Sequence, residues 1–237
     1  MAASYSSINV FDTTIADIVT ALTAKSLITV NCYQSTTVLI FTSPISSKYI
    51  RIGVSPSGIE LKYGDGYSGS NLTGTVVSIN GWYVTRPISG IHMVCDTNFF
   101  CILTETTSFS AAGQLIYYGI TDNNKEIAFG MYPDGSGYSY CTNVCKNITD
   151  NTTMYPVVWD TSFNDGGKPM TQGLIWRDAS SGQLLKNGAN PAATIGVKNV
   201  SIRNNYIMKG ENYIIFQSPV YMTSFGMIPT AIKVDFS

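Results

Sequence analysis

YIRIGVSPSGIELKY, residues 49–63, decides the fold class: two short runs rich in Ile, Val and Tyr stand on either side of SPSG, a turn sequence. β-Branched and aromatic side chains suit a pleated, half-buried surface, while Pro, Ser and Gly supply the backbone of a tight reversal. The stretch therefore predicts an antiparallel hairpin. The same pattern extends both ways along the chain. Upstream, LITVNCY (27–33) and TVLIFT (37–42) read as strands; downstream, TVVSI (75–79), FFCILT (99–104), QLIYYGI (114–120), EIAFGM (126–131), NYIIFQ (212–217) and AIKVDF (231–236) do. GDGYSGSN, PDGSG, NDGGKP and KNGANP punctuate them. The crossover helices required by a parallel sheet are missing from the pattern, so the expected fold is mainly β, an antiparallel sandwich or barrel-like architecture.

One helix is expected, and it precedes the strands. In FDTTIADIVTALTAK (11–25), Ile15, Ile18, Val19 and Leu22 fall at the i, i+3, i+4, i+7 spacing of a single helical face. Asp12 or Thr14 suits its N-cap and Lys25 its last turn, which sets the expected span at Asp12 to Lys25. Residues 1–26 are then an N-terminal arm and helix, and 27–237 a β-rich domain. The polar stretch near 142–153 either divides that domain into two subdomains or forms a long loop, with one compact unit preferred. YGDGYSGS and YPDGSGYSY look alike, but they recur only once and match hairpin-turn chemistry, so no repeat is assigned.

Composition narrows the function classes. The chain has 237 residues, long enough to bury a core without staples, and only 12% are charged, about half the usual share. A formal net charge of -1, with fourteen Lys and Arg scattered along the chain, gives neither a nucleic-acid footprint nor a membrane-surface field. The apolar runs are far shorter than a membrane span requires. MAASYSSINVFDTTIADIV lacks a basic n-region and an apolar h-region, so synthesis in a cytoplasm is expected.

Motifs with chemical potential are sparse. Cys95, Cys101, Cys141 and Cys145 could be drawn into a four-thiolate zinc site, but the spacing within CDTNFFC is loose and Cys101 sits in a strand pattern. Cys32, Cys95 and Cys101 are read instead as small buried hydrophobes. An odd number of cysteines without an export signal argues against a disulfide framework and against glycosylation at Asn71, Asn147, Asn151 and Asn199. The stretch around CTNVC is then an exposed polar loop. His92, in GIHMVC, reads as a structural histidine on a strand, and no nucleophile elbow accompanies it. Asp122, Glu126, Asp160 and Asp165 could furnish paired carboxylates for sugar hydrolysis, but acids in such sequences usually serve the turn itself. DTSFNDGG (160–167) lacks the alternating ligands of a calcium loop. No catalytic, cofactor-binding or metal-binding residues are assigned. Trp82, Trp159 and Trp176 are candidate glycan-stacking aromatics, weighed against their use in a β core or in subunit contacts.

The leaderless start, the single early helix, and Thr-, Tyr- and Gly-rich strands such as SKYIRIGVSPSGIELKYGDGYSGS and SAAGQLIYYGITDNN resemble the virion structural proteins of tailed bacteriophages. The resemblance is one of style over most of the chain and carries over no functional residue. It implies a protein made in the host cytoplasm and residing in a symmetric ring or spike of the virion, without separating tail, baseplate, neck, capsid-decoration and fibre-attachment roles; the preferred reading is a non-enzymatic subunit of the tail, baseplate or neck rather than the head. Its partners would be other copies of itself and other virion proteins. The apolar helix face Ile15, Ile18, Val19 and Leu22 must be covered for a short helix to persist, and it is expected to dock on the chain's own β domain or, as an assembly contact, on a neighbouring subunit. The competing readings are a glycan- or receptor-binding β module of a host-recognition device and a β-fold polysaccharide hydrolase or lyase.

Overall fold

The computed structural model describes residues 3–8, 14–55, 58–80, 88–106, 115–121, 123–131, 144–156, 170–171, 175–186, 195–196, 205–208, 211–222 and 226–235. Strand β1 (Ala3–Ile8) and helix α1 (Thr14–Ala24) come first. A meander follows, made of β2 (Asn31–Gln34), β3 (Val38–Thr42), β4 (Tyr49–Ser55) and β5 (Gly58–Gly64). A small hairpin, β6 (Gly66–Ser68) and β7 (Asn71–Thr73), leads to β8 (Val77–Asn80). These strands form a five-stranded antiparallel sheet in the order β2-β3-β4-β5-β8, with β6-β7 a separate two-stranded one.

The remaining strands build a larger sheet. Its first part runs through β9 (Ile88–Asp96), β10 (Phe99–Thr106), β11 (Leu115–Ile120), β12 (Glu126–Met131), β13 (Val144–Asn147) and β14 (Thr152–Pro156), each paired antiparallel with the next. The later elements are β15 (Met170–Thr171), β16 (Ile175–Asp178), β17 (Leu184–Lys186), β18 (Ile195–Gly196), β19 (Asn205–Met208), β20 (Glu211–Met222) and β21 (Gly226–Asp235). The sheet order is β15-β18-β21-β1-β9-β10-β11-β12-β13-β14-β16-β17, with β20 paired to both β19 and β21.

The chain is thus mainly β with a single short helix among the described residues, and the alternation of the strands explains how the two sheets meet. In the β4–β5 ladder Ile50 faces Tyr63, Ile52 faces Leu61 and Val54 faces Ile59, and all six side chains are buried. A period of two puts them on one side of the pleat. The larger sheet offers Ile91, Met93 and Cys95 from β9, Phe100 and Ile102 from β10, and Ile116 and Tyr118 from β11 to the same apolar cluster. Phe100 lies directly opposite Tyr118, their rings 5.2 Å apart and nearly parallel. The intervening side chains form a second aromatic row, with Tyr117 4.8 Å from Phe129 and 5.9 Å from Phe99. Gly119 makes room for that row, since a Cβ there would collide with the Tyr117 ring. The β9–β12 region is therefore buried on both faces, which is why FFCIL and LIYYG read as near-continuous apolar runs.

Helix α1 closes the apolar layer at one end. Ile15, Ile18 and Leu22 are buried in the cluster and Val19 packs partly against it, and the helix lies against β1, β3 and β9. Its C-terminus ends in a Schellman-type cap: Leu27 N–H donates to Leu22 C=O at 2.9 Å and Ser26 N–H to Thr23 C=O at 3.0 Å. Ser26 takes the left-handed conformation that such a cap demands, at φ 58°, and Leu27 and Leu22 are buried together.

Several expectations need correction. Residues 3–8 are no arm: β1 is an interior strand, antiparallel to β9 and parallel to β21. A parallel pair needs a long connection, and here nearly the whole chain supplies it. The stretch around CTNVC is not wholly an exposed loop, because residues 144–156 form the β13–β14 hairpin that continues the larger sheet from β12. Polar residues misled there: Asn147 is buried and makes the turn, accepting from Thr149 N–H at 3.1 Å and donating to Asp150 at 3.0 Å. The helix begins at Thr14, and Asp12 lies outside the described residues. Cys32 is part-exposed at a bulge in β2, whereas Cys95 and Cys101 are buried as read.

Truncating the helix face tests this packing. Ile18→Ala should lower unfolding free energy by about 3 kcal/mol, the usual cost of a large-to-small change in a filled core. Ser26→Gly should raise it by a few tenths to about 1 kcal/mol, because glycine relieves the left-handed backbone. Urea denaturation of the two variants reads both.

Candidate functional site

Two polar clusters stand out, one between the sheets and one on the outer face of the β4–β5 hairpin. In the first, Glu126 opens β12 and is fully buried. One of its carboxyl oxygens, Oε1, accepts hydrogen bonds from the hydroxyls of Ser43, at the end of β3, and Tyr118 on β11. Ser43 Oγ in turn accepts from Ser46 N–H at 2.8 Å and from Ser46 Oγ–H at 2.9 Å. Glu126 N–H donates to Thr149 Oγ1 at 3.1 Å, and Ile148 N–H donates to Glu126 C=O at 2.8 Å. Burial, and then the Glu126 carboxylate, push the Tyr118 phenol well above its usual range, so it remains a donor at neutral pH. Its sequence context suits this acid to a turn, or to one of a hydrolytic pair. It instead ties the β3–β4 connection to the larger sheet, fully shielded from solvent. The turn is served by Thr121, whose Oγ1 accepts from Lys125 N–H at 3.0 Å, and by Asn124 at φ 56°.

The second cluster follows from the β4–β5 register. Arg51 lies directly opposite Lys62, an unfavourable placement of like charges. Glu60, itself buried, resolves it by pairing with both Arg51 and Lys62. Arg51 Nε also donates to the Ser70 carbonyl at 3.0 Å, which holds the β6–β7 hairpin against this face. Asp65 anchors the hairpin's base, accepting from Lys48 Nζ at 2.6 Å and from Thr75 N–H at 2.8 Å. Those bonds, with Lys48 the largest contributor and Thr75 next, lower the Asp65 carboxyl to about 2 from 3.8. Tyr67, on β6, is 41% exposed, and its ring sits 5.1 Å from that of Tyr49 on β4, tilted by 51°. Glycine lets the hairpin close: at Gly66 a Cβ would come within 2.7 Å of Thr73 Oγ1, and at Gly74, with φ 75°, within 2.8 Å of Asp65 Cβ.

The candidate residues read from the sequence fall elsewhere. Ile15, Ile18 and Leu22 are covered by the chain's own sheets, so that helical face is already occupied within the molecule. Trp82 and Trp159 lie outside the described residues, and Trp176 is placed only by its backbone, opposite Pro156 and Leu185. Asp122, Asp160, Asp165 and Cys141 also lie outside. His92 sits on β9, half-buried, opposite Ser7 and Leu103. Burial holds the Cys95 thiol at about 11 and raises that of Cys101 further. Tyr49 and Tyr67 were missed as a pair. The signal was present, a Tyr in each of two turn-flanked runs, but eighteen residues apart in sequence nothing marked them as neighbours.

Two outcomes test the clusters. Glu126→Ala removes the acceptor of two buried hydroxyls and should cost about 2 to 4 kcal/mol in chemical denaturation, with Glu126→Gln costing markedly less. A carboxyl lowered on folding stabilises the native state above its unfolded pKa and loses that contribution as pH falls through the folded value. The β6–β7 hairpin should therefore loosen between pH 3.8 and about 2, seen in its amide NMR signals, and Asp65→Asn should flatten that response. The effect is small because Asp65 is exposed.

No protein-family model and no curated protein matches the chain.

Proposed function

We propose that the protein is a non-enzymatic structural subunit of a phage particle, of tail, baseplate or neck type, working as a homo-oligomer among other virion proteins. The observation that carries this reading is where the charge sits. In a chain with few charged residues, Arg51, Glu60 and Lys62 lie paired on the interior strands β4 and β5 of the five-stranded sheet, and Lys125 pairs with Asp150 at 2.8 Å. The outer strands of that sheet, β2 (NCYQ) and β8 (VSIN), carry no charge at all. Soluble monomers more often reverse this arrangement and place charge at the edges to prevent association. β8 lies beside β12 and β13, which leaves β2 as the open edge of the five-stranded sheet among the described residues, with Val30 next to it 55% exposed.

The form of the edge also bears on the kind of contact. β2 is short and bulged between Asn31 and Tyr33, which interrupts continuous main-chain pairing with a neighbour. Side-chain packing on a neutral surface, in a closed ring, suits such an edge better than open strand-to-strand stacking.

Mass spectrometry of purified virions should find the chain in multiple copies, and the recombinant protein should run in light scattering as rings or larger oligomers. Val30→Lys should shift that distribution toward smaller species with the melting temperature unchanged. A stable monomer missing from particles would overturn the proposal.

A further inference from the structure

We propose that one end of the five-stranded sheet carries the contact surface for a second copy of this chain, an apolar row that crosses the sheet on the face turned away from the core. Among the described residues the exposed large hydrophobic side chains are Val30 at 55%, Val76 at 44% and Tyr67 at 41%, and the strand register gathers all of them there. Thr42 N–H donates to Val30 C=O at 3.1 Å, Thr42 lies opposite Tyr49, and Tyr49 lies opposite Gly64. Opposed residues of an antiparallel ladder share a face, and this row is offset by one residue from Phe41, Ile50 and Tyr63, which are buried in the core. Leu72 and Val76 fill the space above Gly64: a Cβ there would lie 3.1 Å from Leu72 Cβ and 3.4 Å from Val76 Cγ2. Tyr67, opposite Leu72 in the hairpin, meets Tyr49 with the ring centres 5.1 Å apart. The other face of the hairpin carries Ser68, Asn71 and Thr73, exposed and polar, and is left to solvent. Val30 immediately precedes β2 and Val76 immediately precedes β8, so the row spans the sheet. Five strands about 4.8 Å apart make it about 19 Å long, enough for the apolar centre of a protein contact.

Charge complementarity makes a second copy the occupant. Lys48 and Asp65 adjoin Tyr49 and Gly64 in the sequence, pair at 2.6 Å and both remain accessible to solvent. A twofold axis beside this pair sets the Lys48 of each copy toward the Asp65 of the other, whereas a partner of a single sign would meet one favourable charge and one unfavourable one. Arg51, Glu60 and Lys62 lie further along the same face and sum to one positive charge, so the axis falls at the sheet end, where the Lys62 side chains of the two copies stay apart. The chain's formal net charge of -1 leaves little overall repulsion between copies. At its other end the row runs through Val30 to the open β2 edge. The inference rests on the homo-oligomer reading and names the surface through which two copies meet.

The test uses the full chain with the photo-cross-linking residue p-benzoylphenylalanine in place of Val76, as an equal mixture of unlabelled and isotopically heavy protein. Irradiation should give mixed-isotope cross-links from position 76 of one copy to Tyr49 or to residues 64–76 of the other, read by mass spectrometry. In sedimentation velocity, Val76→Asp and Tyr67→Ser should each weaken self-association at least about tenfold, as loss of a central contact does. Lys48→Glu should weaken it too, because acids then face acids across the axis. Thermal melts at dilutions where the parent protein is dissociated show that the variants remain folded. Oligomers whose cross-links join other surfaces, or undiminished association in both Val76→Asp and Tyr67→Ser, overturn this proposal and leave the assembly reading standing. A chain that is monomeric at every concentration overturns it as well, and copy number in virions then judges the assembly reading separately. Cross-links in virions to a different protein, with none between copies, also overturn it.

Discussion

One apolar layer, shared by the five-stranded sheet and the β9–β12 region of the larger sheet, is the constraint on which the molecule depends. Ile50, Ile52, Val54, Ile59, Leu61 and Tyr63 have no other place to be buried, and a slip of one residue in the β4–β5 register would turn all of them to solvent. That layer fixes where α1 can dock, because Ile15, Ile18 and Leu22 complete its end. It also fixes where polar groups are tolerated. Glu126 enters the seam with two hydroxyl donors on one carboxyl oxygen, and those bonds offset part of the cost of its burial while tying the β3–β4 connection to β12.

The same register generates the outer cluster. Facing the apolar side chains inward forces Arg51 and Lys62 outward and opposite one another, which in turn requires Glu60 between them. Arg51 is then oriented to reach the Ser70 carbonyl, and the β6–β7 hairpin settles beside Tyr49. A core requirement and a surface feature are thus two sides of one ladder. The neutral outer strands and the aromatic pair both follow from where the few charges sit.

The larger sheet has its own organising feature. β1 lies between β9 and β21, so the first described strand and the last are hydrogen-bonded neighbours, Ala3 opposite Val234 and Ser4 opposite Asp235. This closure is long-range by nature. It links the early strands to the late ones across the greatest sequence separation among the described residues, where loop-closure entropy is greatest. Contacts of this kind form late and slowly in folding, after local hairpins such as β4–β5.

The sequence by itself determined the elements whose signal is local. Alternating β-branched and aromatic runs bounded by Gly, Pro and Ser placed β3, β4, β5, β10, β11 and β12 almost to the residue, and the apolar spacing of Ile15, Ile18, Val19 and Leu22 placed the helix, because backbone propensity and side-chain period are properties of neighbours in the chain. What only the tertiary structure decided depends on partners distant in sequence. ASYSSI has no strong strand pattern and becomes β1 because β9 and β21 offer it hydrogen bonds on both sides. VCKNITDNTT reads as a polar loop and becomes a hairpin because β12 templates it and Ile148 finds the core. Glu126 reads as a turn acid and becomes the buried tie because Ser43 is 83 residues away in sequence yet across the seam in space. Tyr49 and Tyr67 meet only once Arg51 has pinned the hairpin that carries one of them. Local pattern sets what a segment can be; the burial and pairing of groups far apart along the chain decide which of those states it takes.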